Sequence, residues 1–187
     1  MNKSLMPTID SYVTYSVELN RIQNELVQLE RQLLEAKKSL IFAYHKGDNA
    51  KLREVNDVIK GLTSKKLELT SSFETICKKE FYMYSTYTNA SETLSISELN
   101  ELIESIKAKM IKINNECRSI DERKMKLFSL ANNSMDKNVS KRARELSIEY
   151  HTKLTALVSE NNVYAEVKRD IEKVLKKKQE ETTPQMR

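Results

Sequence analysis

Seven cations crowd the stretch from Arg123 to Arg144: Arg123, Lys124, Lys126, Lys137, Lys141, Arg142 and Arg144, against Asp136 alone. That surplus exceeds the net charge of the whole chain, +5. Lys and Arg at this density are phosphate-contacting residues, suited to nucleic acid or an anionic lipid surface. Phe128 is the one aromatic ring among them, so stacking on single-stranded bases has little support. A solvated end of a lysine-rich helical bundle carries the same residues and is the simpler account. A second basic run, Lys168, Arg169, Lys173 and Lys176 to Lys178, reads as a solvated helix face near a C-terminus, where cations suit the helix dipole.

Other chemistry is hard to assemble. There is no Gly-rich phosphate loop, no HExxH, no GxSxG and no CxxC. Di-iron bundles use Glu three residues before His, but Phe42 precedes His45 at that spacing and Ile148 precedes His151. Cys77 and Cys117 lie far from both histidines, which leaves no metal-ligand pattern. The reading is therefore no enzyme, no cofactor, no metal and no small-molecule substrate. Met1 to Pro7 lack an apolar signal core, and the longest apolar run, Leu40 to Tyr44, is far too short to span a bilayer. With two scattered cysteines, this points to a cytoplasmic or nuclear location.

The elements that must position these residues are helices. Gly and Pro number two each in 187 residues, charged residues make up 32% and aromatics 6%. That composition suits long helices with narrow apolar stripes. Tyr12, Tyr15, Leu19, Ile22, Leu26, Leu29, Leu33, Ala36, Leu40 and Ala43 follow an alternating 3-4 spacing, a heptad seam. The first helix is expected from Thr8 or Ser11 to Lys46, with Gly47 as its left-handed stop and Asp48 or Asn49 capping the next. So short a connection forces an antiparallel hairpin.

The second helix repeats the seam at Leu52, Val55, Ile59, Leu62, Lys66, Leu69, Phe73, Ile76, Glu80 and Met83. Its charged seam residues, Lys66 and Glu80, have no evident complementary seam residue on the first helix, and so become candidates for binding a partner. Gly61 lies inside this helix and suggests a close approach or a mild bend. The pattern stops after Tyr84. Phe81, Tyr82, Tyr84 and Tyr87 form the one local aromatic cluster, either the capped end of a bundle or a partner-binding knob.

Ser95 and Glu98 form a capping box that starts the third helix. Its seam runs through Leu99, Ile103, Ile106, Met110, Ile113, Cys117, Ile120, Lys124, Leu127 and Ala131. A turn at Asn132–Asn138 leads to the fourth helix, which ends near Gln179. The expected organisation is a first hairpin over 1–84, a linker over 85–94, a second hairpin over 95–179 and a flexible tail over 180–187.

A register centred between Ser134 and Met135 places Lys124 opposite Glu145, Lys153 opposite Glu116 and Glu160 opposite Lys109. It also sets Lys168 to Lys178 beside Glu92, Glu98, Glu101 and Glu104. Antiparallel neighbours leave Cys77 and Cys117 about 20 Å apart along the axis, so no disulfide is expected. Extra apolar residues at Val13, Val27, Leu34 and Ile41, and at Leu102, Ile111 and Phe128, widen the stripes and call for more than one neighbour per helix.

The fold class expected is all-α: an elongated antiparallel bundle of four long coiled-coil-like helices. The function expected is that of a structural or adaptor subunit, an oligomer or complex component working through helix-helix contacts with a protein partner or itself. Lys66, Glu80, Phe81, Tyr82 and Tyr84 are its candidate contacts. The alternative is a basic nucleic-acid-binding protein using the Arg123–Arg144 tip. A membrane surface is the weakest of the candidate partners.

Overall fold

A computed structural model describes residues 5–182. It consists of four helices: α1 (Met6–Lys46), α2 (Asn49–Thr93), α3 (Ile96–Asn133) and α4 (Lys137–Thr182). The described residues include no strand.

Each boundary has a local cause. Pro7 falls in the first turn of α1, where its missing N–H has no partner to lose, so the helix starts at Met6 rather than at Thr8 or Ser11. At the other end Gly47 adopts φ 66°. Its N–H donates to the Tyr44 carbonyl at 3.1 Å, and the Asp48 N–H to the Ala43 carbonyl at 3.1 Å. This is the left-handed stop that glycine makes at least cost. Asp48 then caps α2, its carboxylate accepting from the Lys51 N–H at 3.0 Å. The capping box opens α3: Ser95 Oγ accepts the Glu98 N–H at 3.3 Å, and Glu98 accepts the Ser95 N–H at 2.8 Å.

Where a linker over 85–94 is expected, α2 continues to Thr93, and the connection shrinks to Leu94 and Ser95. The residues that read as a polar connection close onto their own helix. Thr88, Ser91 and Thr93 donate their hydroxyls to the carbonyls of Tyr84, Thr88 and Ala90 at 2.8 Å each. Tyr87 and Ser91 are buried, so packing overrides a weak local preference. At the C-terminus 180–182 belong to α4, and the rest of the expected tail, 183–187, lies outside the described residues.

The chain forms two compact units. One holds the start of α1 up to Val17 and the described residues from Met83 onward. Its core joins Ile9 and Val13 of α1, Tyr87 of α2, Leu99, Leu102, Ile103, Ile106 and Ile113 of α3, and Val163, Tyr164, Val167 and Ile171 of α4. Here the antiparallel α3–α4 pair has both neighbours that the wide stripes call for.

The second unit is Glu18–Tyr82, the hairpin arms of α1 and α2. Every expected seam position in it is buried or half-buried, Lys66 and Glu80 included. The flanking Val27, Leu34 and Ile41 are exposed, as are Ile111 and Phe128 in the other unit; the widened stripe finds its second neighbour only at Val13 and Leu102. Gly61 has nothing within 4 Å of the position a Cβ would occupy, so it marks no close approach.

Charge partners depart from the register argument in part. Lys153 meets Glu116 at 3.0 Å as expected. Lys124 turns instead to Asp121, one turn back on its own helix, at 3.6 Å. Lys168, Lys173 and Lys176 likewise pair with Glu172, Asp170 and Glu180 of α4 rather than with the acidic residues of α2 and α3. A partner three or four residues away needs less ordering of a long side chain than one on another helix.

Candidate interaction surfaces

The α3–α4 turn, Ser134 to Asp136, gathers the expected phosphate-contacting residues at one tip. Asp136 caps α4, its carboxylate accepting from the Asn138 and Val139 N–H groups at 2.8 and 3.3 Å. Ser140 Oγ ties the turn back to the Ala131 carbonyl at 2.6 Å. The one acidic residue of the basic stretch is thus engaged by a helix N-terminus, where a carboxylate is stabilised.

Lys137, Lys141 and Arg144 share a face of α4 by their spacing. Arg123, Lys126, Lys137, Lys141 and Arg144 are exposed and form no ion pair among the described residues, while Arg142 reaches Glu145 at 3.3 Å. The tip is also apolar, which the charge count alone conceals: Met135 stands fully exposed at the turn, with Met125, Phe128, Leu130 and Val139 exposed behind it.

The aromatic candidates do not share one environment. Tyr84 packs its ring against Tyr12 and Tyr87, with centroids 5.7 and 5.4 Å away, and Tyr12 lies 5.2 Å from Tyr87. These three rings close the α1–α2 edge of the first unit's core, the geometry of stabilising tilted aromatic pairs. Phe81 and Tyr82, in the second unit, are 69% and 65% exposed.

Lys66 also has a partner, though not a seam residue. Its ammonium lies 2.8 Å from Glu30 of α1, which sits beside the seam rather than on it. The same contact holds the Glu30 carboxyl below the usual carboxylate range, chiefly through the hydrogen bond from Lys66. Glu80 is half-buried on its seam.

One polar group in the first unit escapes sequence reading. The buried Tyr164 hydroxyl donates to Asp10 Oδ1 at 2.6 Å, and Lys109 donates to Asp10 Oδ2 at 2.9 Å. Burial and the Asp10 hydrogen bond push the Tyr164 hydroxyl well above the ordinary tyrosine value. Glu160, expected to pair with Lys109, is raised by burial first, with the Lys109 charge opposing. Asp10 has taken the Lys109 ammonium. The signal available in the sequence was Tyr164 itself, on the 3-4 apolar spacing that Val167, Ile171 and Val174 continue along the fourth helix; its hydroxyl needs a partner once buried.

The described residues hold no group of three or more His, Cys, Asp or Glu able to bind a metal ion. Both cysteines are free thiols, and burial pushes the Cys117 thiol up, away from the thiolate a nucleophile needs. No helix among the described residues is long and apolar enough to cross a membrane.

The strongest exposed apolar pattern lies on α1 of the second unit. Val27, Leu34 and Ile41 are 42%, 54% and 58% exposed and recur every seven residues beside a filled seam. Next to Ile41, a shallow groove is lined by Leu40, Ile41, Tyr44, Leu52 and Asn56. No protein-family model, curated protein or solved structure matches the chain.

Proposed function

We propose that this protein is a non-enzymatic coiled-coil subunit, structural or adaptor in role, which works in the cytoplasm or nucleus by laying helices against a protein partner. The observation that carries this reading is the exposed heptad stripe Val27–Leu34–Ile41 on a hairpin whose own seam is already filled. A seven-residue apolar repeat is the signature of a helix packed along its length, and within its unit this one has no helix to meet. Exposed Phe81 and Tyr82 add rings of the kind enriched at interfaces. The test is a pull-down of the intact protein from its own source, with and without nuclease, read by mass spectrometry. Protein partners that survive nuclease, and fall away when Leu34 is changed to Lys, are the expected result. A partner set unaffected by that change overturns the reading.

The second reading is nucleic-acid binding through the α3–α4 tip, favoured by its five exposed cations that form no ion pair among the described residues. It requires binding that weakens steeply with salt and is lost when Lys141, Arg142 and Arg144 are neutralised together.

A further inference from the structure

We propose that the α3–α4 tip docks on an anionic lipid surface, with Met135 entering the interface and the cations behind it lying on the headgroups. The tip and the α1 stripe belong to different units, so neither reading rests on the other. A lipid surface here takes the place of nucleic acid as the occupant of the tip.

The order of residues along the two helices carries the inference. Met135 stands fully exposed in the turn itself. Val139 and Leu130, also exposed, lie about 3 and 5 Å from the tip ends of their helices. Between Leu130 and Val139 the only charged residues are Asp136 and Lys137. The Asp136 carboxylate is held by the Asn138 and Val139 N–H groups, and the long stem of Lys137 lets its ammonium stay at the surface. Lys141, Lys126 and Arg144 follow at about 6, 11 and 11 Å from those helix ends. Glu145, one residue past Arg144, is engaged by Arg142 at 3.3 Å. An apolar apex with cations behind it matches a bilayer interface, where amphipathic segments sink about 5–10 Å to the acyl boundary and their cations meet anionic headgroups.

The competing occupants each account for half of this pattern. Nucleic acid explains the cations, but its interfaces are polar and offer the exposed Met135, Leu130 and Val139 little to bury against. A protein partner explains those apolar residues, but lysine is depleted at protein interfaces, and Lys126, Lys137 and Lys141 are all exposed here without an ion pair among the described residues. An anionic bilayer takes both: the acyl boundary receives the thioether, and each cation near the headgroups strengthens binding about fivefold. Docking of this kind is peripheral and needs no spanning helix.

Flotation of the full chain with phosphatidylcholine vesicles containing about one-third phosphatidylserine tests this, with a labelled DNA duplex titrated in parallel. The wild type floats with the anionic vesicles and not with phosphatidylcholine alone. Lys137→Gln and Lys141→Gln together lower vesicle affinity about 25-fold. Met135→Gln lowers it about tenfold with unchanged helical circular dichroism, because the side chain is fully exposed and the substitution leaves the charge as it was. Leu34→Lys, in the other unit, leaves flotation unchanged, so the loss of protein partners and the loss of lipid binding are read separately. A wild type that fails to float with the anionic vesicles overturns the proposal, and duplex binding that depends on Lys141, Arg142 and Arg144 would then leave the nucleic-acid reading in its place. Flotation that Met135→Gln does not weaken also overturns it, since adsorption by charge alone gives the apex no part.

Discussion

Tyr164→Phe isolates one atom. Tyr164 is 2% exposed, so the ring of phenylalanine fills the same space among Leu99, Ile106 and Val167 and leaves no cavity. What disappears is a hydroxyl donating to Asp10 Oδ1 at 2.6 Å, the length of a charge-assisted bond. Hydrogen bonds to charged groups contribute about 1.5–3 kcal/mol. Asp10 is 36% exposed at its side chain and keeps Lys109, so water can replace part of the loss. The expected cost is therefore at the low end, about 1–2 kcal/mol.

Urea unfolding followed by circular dichroism measures it, and a double-mutant cycle with Asp10→Ala assigns it. A coupling of about 1–2 kcal/mol between the two changes is expected. Additivity within about 0.3 kcal/mol would refute the claim that this bond ties the start of α1 to α4.

The pH dependence gives a second check. The folded-state value of Tyr164 is raised above its unfolded value near 10, so its contribution is complete below that pH. It is lost as pH climbs further, and Tyr164→Phe should flatten that alkaline decline.

Gly61→Ala should stabilise the Glu18–Tyr82 hairpin by about 0.5–1 kcal/mol, since Gly61 is helical and an added Cβ meets nothing within 4 Å; a destabilised variant in thermal unfolding would show that the site is tighter than it looks. Ser95→Ala should cost about 1 kcal/mol by removing the α3 cap. The Glu98 half of that box has its carboxyl lowered, first by the Ser95 backbone N–H, so its stabilisation holds above pH about 4.3 and fades as pH falls through the lower folded value. An acid unfolding curve unchanged by Glu98→Gln would contradict this.

Much of the architecture was legible from residue spacing. The seam positions of the first three helices, the Gly47 stop, the Asp48 cap and the Ser95–Glu98 box depend on interactions within a few residues or on a local period, and each was readable as such. The segment from Ser85 to Thr93 was misread because its hydroxyl residues serve a connection or a helix equally well in isolation. Burial of Tyr87 and Ser91 against other helices decided between them. The polar group around Asp10 was invisible for a similar reason: Asp10, Lys109 and Tyr164 lie on three different helices, and no period links them.

The candidate surfaces divide in the same way. The basic tip could be counted from composition, because a hairpin turn gathers whatever flanks it. The free stripe could not. Val13 and Val27 occupy equivalent places in one apolar pattern, yet Val13 is 1% exposed and Val27 is 42% exposed. The chain by itself determined that both positions are apolar and which helix face carries them. Only the tertiary structure decided that Val13 lies where α2, α3 and α4 supply neighbours, whereas Val27 lies on a two-helix hairpin with one face uncovered. Burial depends on what packs alongside, and that is set by long-range contacts rather than by the period of a helix.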